Sequence, residues 1–304
     1  MAQPDLDREA IKAYVHKMID EDVVRLGEEG LSRLLDRGRE LSEKFGLAQT
    51  LREGGAVLVP HAGLPDCGHQ IAAAVHACLE SGTERVLAVG VLHALTDELE
   101  AARVRVAQGG DPADEEFWGI QGPGLPGHSH WRDEFSLRPF RVLWEFELRH
   151  RGLTGSRSAP ELIERYPYLA GGHPECLPGM EELQALVQEP GTVVITTADP
   201  FHHGIGYGDP PDRALFPEEG GLDLAKRTIE EGLALLERGE YWAFHQHCVE
   251  AKSDGRDAGQ VVRYLLGPLR GRVLDLTYTD TTEMYNAPAP TWVAAALIEL
   301  KPLG

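Results

Sequence analysis

Between residues 54 and 93 the chain reads as a strand, a helix and a second strand, and few architectures can bury such a unit. Gly54-Gly55 precedes the apolar run AVLV (56–59), which Pro60 ends. A short continuous apolar run of this kind suits a strand covered on both faces. A helical pattern follows from about Gly68 to Glu80, and Ser81-Gly82 closes it. A second apolar run, VLAVGVL (86–92), then leads into His93. Strand, helix and strand in close succession predict a sheet with parallel strands, because the crossover helix carries the chain back to the edge where it began.

Further strands are expected at TVVITTA (192–198) and RVLDLTYT (272–279), and helices at about 180–187, 220–251 and 256–266. PTWVAAALIEL reads as a strand or a helix. Upstream, residues 5–49 read mostly as helix: Ile11, Tyr14, Val15 and Met18 recur at three- and four-residue steps, and Gly27 and Gly30 predict a break between two helices. Residues 105–175 resist assignment, because GGDPADEE, QGPGLPGHSH and YPYLAGGHPE are rich in Gly, Pro or both. Between these segments, DEFSLRPFRVLWEFELRH reads as a helix with an aromatic face. The expected fold class is α/β: a central, mostly parallel sheet flanked by helices in one domain (51–304), preceded by an N-terminal helical extension (1–50).

Composition narrows the partners. The formal net charge is −20 with no Lys/Arg cluster, which argues against nucleic acid. An anionic ligand would need a local basic residue, since the global field repels it. No run reaches the roughly 18 apolar residues of a membrane span. The start, MAQPDLDREAIKAY, is acidic and amphipathic, unlike a secretory leader. Cys67, Cys78, Cys176 and Cys248 are far apart without CxxC spacing, which points to reduced thiols. The expectation is a soluble cytoplasmic protein with no nucleic-acid or membrane partner; homo-oligomerisation stays open.

The histidines carry the chemistry. His61 and His93 each follow a predicted buried strand, where ligand sites of open α/β sheets form. Delivered there by neighbouring strands, two imidazoles suit one shared iron, zinc or copper ion. A third strand end, TTADPFHHG, adds Asp199, His202 and His203. An imidazole here can be a ligand or a proton carrier near neutrality, and Asp199 can orient one by accepting its second N–H. His203 is expected to face solvent, with a substrate contact as the alternative.

The segments VPHAGLPDCG, VGVLHA, TTADPFHHG and KSDGRDAGQVV, in that order, resemble the Memo proteins and the LigB-like class III extradiol dioxygenases. Pro60-His61-Ala62-Gly63 matches a PHAG-type motif, Gly90-Val91-Leu92-His93 stands where Memo proteins have a Gly-Pro-Ser-His turn, and Thr197-Ala198-Asp199-Pro200-Phe201-His202 matches a Ser/Thr-x-Asp-x-x-His motif. The resemblance runs from about residue 56 onward, is weak in the middle and leaves the first 50 residues uncovered. Where Memo proteins have a cysteine before Gly-Arg and the dioxygenases an iron-binding glutamate, this chain has Asp254-Gly255-Arg256.

The resemblance implies that His61, His93 and Asp254 bind Fe(II), with His202 as acid/base, assisted by Asp199. Two histidines and one carboxylate with open positions suit non-haem Fe(II) oxygen chemistry. Asp254 could alternatively cap the helix that follows, and Glu250 and Asp257 are the fallback ligands. Tyr278, Tyr285 and Trp292 are candidates for an aromatic wall, with core packing as the alternative. His128, His130 and His173 are further candidates for the substrate wall, although surface loops fit them better. Leu64 replaces the Memo tyrosine, and Phe135 and Leu137 replace polar residues of that family, so an altered substrate wall is expected.

The implied activity is extradiol cleavage of a catechol or o-aminophenol by O2. The alternatives are a Zn2+-dependent hydrolase with the same ligands and a Memo-like binding scaffold without catalysis.

Overall fold

The computed structural model describes residues 8–303. Residues 5–7 of the expected first helix lie outside the described residues. Helices α1 (Arg8–Phe45) and α2 (Leu47–Arg52) come first. Gly27 interrupts α1 at φ 59°, ψ −173°, a conformation open to glycine and costly for other residues. The expected break therefore falls at Gly27, not Gly30.

Strand β1 (Ala56–Val59), helix α3 (Leu64–Glu80) and strand β2 (Arg85–Val89) make up the predicted unit. After α4 (Asp97–Ala107) come β3 (Gly119–Gln121), α5 (Arg138–His150) and β4 (Glu161–Tyr168). Then follow α6 (Met180–Gln188), β5 (Thr192–Thr197) and β6 (Phe201–Gly204). Helices α7 (Gly221–Arg238), α8 (Tyr241–Glu250) and α9 (Arg256–Leu266) precede β7 (Leu269–Asp280), α10 (Thr282–Tyr285) and β8 (Thr291–Pro302).

The fold is α/β, with one eight-stranded sheet in the order β3-β4-β2-β5-β1-β8-β6, and β7 paired with β8 off that path. The central strands β4, β2, β5 and β1 are mutually parallel, whereas β3, β6, β7 and β8 pair antiparallel. The strands of the opening unit are thus not neighbours. β5 runs between β1 and β2, which corrects the expectation that adjacent strands deliver His61 and His93. The segment 291–302, ambiguous in sequence, is a strand.

Strand periodicity sorts side chains onto two faces. Val57, Val59, Val86, Ala88, Val193 and Ile195 pack under α1, α2, α3 and α5. Ala56, Leu58, Leu87, Val89 and Val194 pack against α6, α7 and α9. Helix α3 is buried almost all round, as a helix between sheet and helices must be. Its alanines admit α1 closely: a Cβ on Gly38 would lie 2.4 Å from Ala72 Cβ. In the part of α1 before Gly27, Val15 and Ile19 form a small core with Phe135.

Strand β4 pairs in parallel with β2, inside the stretch that resisted assignment. Its charges are neutralised locally. Arg141 grips Glu164 through two hydrogen bonds of 2.8 and 2.7 Å, and Arg165 is held by Glu182. Each buried charge therefore has a fork-like partner. Cys67, Cys78, Cys176 and Cys248 are all free thiols, and no described helix is long and apolar enough to cross a membrane.

Candidate metal centre

Because β1, β2 and β5 run the same way, their carboxyl ends open onto one edge of the sheet. His61 follows β1 directly after Pro60, and its backbone N–H donates to Asp199 Oδ1 at 3.1 Å. Its Nδ1 meets Thr197 Oγ1 at 2.9 Å, so β5 orients the ring. Nε2 then faces Asp254 Oδ2 at 3.0 Å, with Asp199 Oδ2 at 3.8 Å. His93 stands in the loop after β2. Its Nδ1 meets Glu134 Oε1 at 2.9 Å, and its Nε2 lies 3.4 Å from Asp254 Oδ2.

Glu134 is a buried anchor that also accepts the backbone N–H groups of His93, Phe135 and Ser136, at 2.6, 2.7 and 2.8 Å. Asp254 is positioned by the loop before α9. Its Oδ1 accepts the Asp199 N–H at 2.9 Å, which aims Oδ2 at the two imidazoles. Asp254 does not cap α9: Gly255 takes that position, and no side chain bonds to the helix end. A Cβ on Gly255 would lie 2.6 Å from Ala198 Cβ, so glycine is what lets this loop approach the Asp199 loop.

The donor set fits a divalent metal ion. Atoms bound about 2.1 Å from one centre lie roughly 3.0–3.4 Å apart, the spacing of each imidazole Nε2 from Asp254 Oδ2, and all three atoms lie within 4.8 Å of one another. Each Nδ1 is held by an oxygen, the usual way a ligating imidazole is oriented from behind. Asp254 Oδ2 is enclosed, and the two imidazole Nε2 atoms are its neighbours. A second group, Asp199, His202 and Asp254, also brings its ligand atoms within 4.8 Å of one another.

Electrostatics favour a cation at this point. Burial opposes charge on His61, yet Asp199 and Asp254 outweigh it and raise the imidazole above its ordinary value. Burial likewise opposes charge on His93, but Glu134 and Asp254 push it up to about 10. Burial works to raise Asp254, and the two imidazoles hold it well below the usual carboxylate range. A field that stabilises two imidazolium charges stabilises a metal dication for the same reason. His202 differs. Burial dominates, its Nδ1 has no partner, and its pKa is lowered despite the nearby carboxylates.

The centre opens into a cavity of about 910 Å³. Ile11, Tyr14, Val15 and Met18 of α1 line one wall, with Phe135 and Met284 beside them. Phe135 stacks on His93, whereas Leu137 is buried in the core away from the cavity. His61, His93, Asp199, His202, Asp254 and Tyr285 all line the cavity, and Tyr285 packs edge-on against Tyr207.

Other candidates lie elsewhere. Tyr278 reaches outward to Glu218 at 2.5 Å, and Trp292 is a core residue whose Nε1 donates to Leu215 O. His203 is not solvent-facing: it is buried between Asp209 (3.0 Å) and the Leu215 N–H (2.9 Å). His128 and His130 pack around Phe117, and His173 is exposed. Glu250 is exposed, and Asp257 is occupied by the Ala170 N–H at 2.8 Å, so neither joins the centre.

Sequence reasoning missed Glu134 and Thr197 as orienting groups and α1 as a cavity wall. Thr197 was within reach, being the last residue of β5 and two before Asp199. Glu134 had no spacing signal, because it comes from a loop remote from His93. No protein-family model matches the chain, and no curated protein matches it.

Proposed function

We propose that this chain is a non-haem Fe(II) dioxygenase of the extradiol type, opening the ring of a catechol or an o-aminophenol. The observation that carries the reading is the convergence of His61 Nε2, His93 Nε2 and Asp254 Oδ2 beneath a partly apolar cavity. Bound iron supplies open coordination positions for vicinal substrate heteroatoms and O2. The protein does the remainder. Thr197 and Glu134 fix the two imidazoles, and the Asp199 N–H fixes the carboxylate. Phe135 and the α1 side chains give an aromatic ring an apolar bed and limit water.

His202 is the proton handler. Its lowered pKa leaves it neutral near pH 7, and its side chain lines the cavity, so its unprotonated nitrogen serves to accept a hydroxyl proton and return it later. Anaerobic Fe(II) reconstitution followed by O2 uptake with a panel of catechols and 2-aminophenols tests the proposal. His202→Ala is expected to keep iron while turnover falls on the order of 10²–10⁴-fold. No uptake with any of the panel at full iron occupancy rejects the reading.

A zinc hydrolase is the second reading, favoured by the Asp199–His202–Asp254 group. Two cations sharing Asp254 would suit hydrolysis. Metal analysis discriminates: one ion per chain supports the first reading, and two zinc ions with ester or phosphoester hydrolysis support the second.

A further inference from the structure

Among the described residues, four lysine or arginine side chains line the cavity: Arg8, Arg103, Lys252 and Arg256. Three are committed. Arg8 bonds Asp97 at 3.2 Å and the Ala94 carbonyl, and Arg103 pairs with Glu100 at 2.8 Å. Lys252 pairs with Asp209. Arg256 differs: among the described residues no carboxylate comes within ion-pair distance of its guanidinium, and its Nε is shut off from solvent without an acceptor. The adjacent Asp257 carboxylate is turned to the Ala170 N–H instead. Nε itself is enclosed, but Arg256 lines the cavity and its guanidinium makes no hydrogen bond or ion pair among the described residues, so its terminal N–H groups are the ones left for an oxyanion to match.

We infer that Arg256 is the anion-binding residue of this cavity, and that the ligand carries a carboxylate, with its apolar body against the α1 and Phe135 wall. The inference rests on the functional reading above for the identity of the cavity as a substrate site. Arg256 opens α9 two residues after Asp254, so one rigid turn delivers both the candidate ligand and the fork. The Gly255 approach to Ala198 fixes that turn. Carboxylates also line the chamber, but Glu100 is taken by Arg103, and Asp254 faces the imidazoles. In a chain of formal charge −20, an unspent guanidinium is the local attraction that an anionic ligand requires. Arginine suits this task because its planar fork matches a carboxylate in two bonds.

The test compares acids with their neutral amides on the full chain, metal-free and iron-loaded. The probes are benzoate against benzamide, and 3,4-dihydroxybenzoate against 3,4-dihydroxybenzamide, by calorimetric titration. The expected wild-type preference for the acid is roughly ten- to a hundredfold in Kd. Arg256→Gln should abolish it, Arg256→Lys should keep part of it, and Arg103→Gln should leave most of it. An acid-to-amide ratio within threefold in the wild type, or one unchanged in Arg256→Gln, overturns the inference. Should Arg256→Gln fail to fold, the decision passes to Arg256→Lys, where an undiminished preference overturns it. Acid preference in a chain that takes up no iron would sink the oxygenase reading alone. Iron uptake without acid preference would sink this inference alone.

Discussion

The ring of Phe135 lies nearly parallel to that of His93, with centroids 4.4 Å apart and planes at 19°. Phe135 also holds Val15 and Ile19 of α1, so one side chain couples a candidate ligand to the cavity wall. Truncation in Phe135→Ala removes both contacts. The expected cost is about 3 kcal/mol, the low end for a buried Phe because the site borders a cavity. Denaturant unfolding measures it, and a loss below roughly 1 kcal/mol would show that the wall is held by other contacts.

Glu134→Gln keeps the size of the side chain but removes the charge that orients the His93 ring. Metal affinity should fall about 10–100-fold. Asp254→Asn should fall further, since it removes a ligand. Competition titration with a chromophoric chelator measures both. Equal affinity in wild type and Asp254→Asn would remove Asp254 from the centre.

His245 gives the protein an acid-sensitive point outside the centre. Its ring is buried with neither nitrogen hydrogen-bonded, and it stacks on Trp242 at 5.2 Å and 6°. Burial outweighs the attraction of Asp257 and lowers its pKa to about 4. The folded state thus resists protonation while the unfolded state, near 6.5, accepts it. Above pH 6.5 the group contributes no pH dependence; from there down to about pH 4 stability falls by up to roughly 1.4 kcal/mol per unit. His245→Phe keeps the stack and should remove this slope. Parallel wild-type and variant profiles between pH 7 and 5 would disprove it.

Gly38 tests the packing of α1 on α3. Its added Cβ would meet Ala72 Cβ at 2.4 Å and Ala72 backbone carbon at 2.6 Å, atoms that cannot swing aside. Gly38→Ala should destabilise by about 1–3 kcal/mol despite its better helix propensity. A stability gain by thermal melting would mean that the helices can separate without cost.

How much of this was legible depended on how locally each element is specified. β1, β5 and α9 were visible because their apolar runs and periods are set by burial alone. β4 was not, because Glu161, Glu164, Arg165 and Pro167 break an apolar pattern, and the partners that neutralise Glu164 and Arg165 come from α5 and α6. His61 and His93 could be named from strand ends, and Asp254 from the resemblance to the Memo proteins and the dioxygenases. Their arrangement could not, since the insertion of β5 between β1 and β2 is a tertiary choice. His203 shows the reverse case: a polar-looking loop residue is buried because Asp209 and Leu215 fold back over it.

β1 and β6 never touch as strands, yet both pair with β8: Leu58 opposite Ile298, and His202 opposite Val293. β8 therefore acts as a ruler between His61, just beyond β1, and His202 within β6. Each residue along it sets about 3.4 Å of separation. Inserting or deleting one residue between Val293 and Ile298 would misplace the proton handler relative to the metal ligands, although every residue of the centre would remain present.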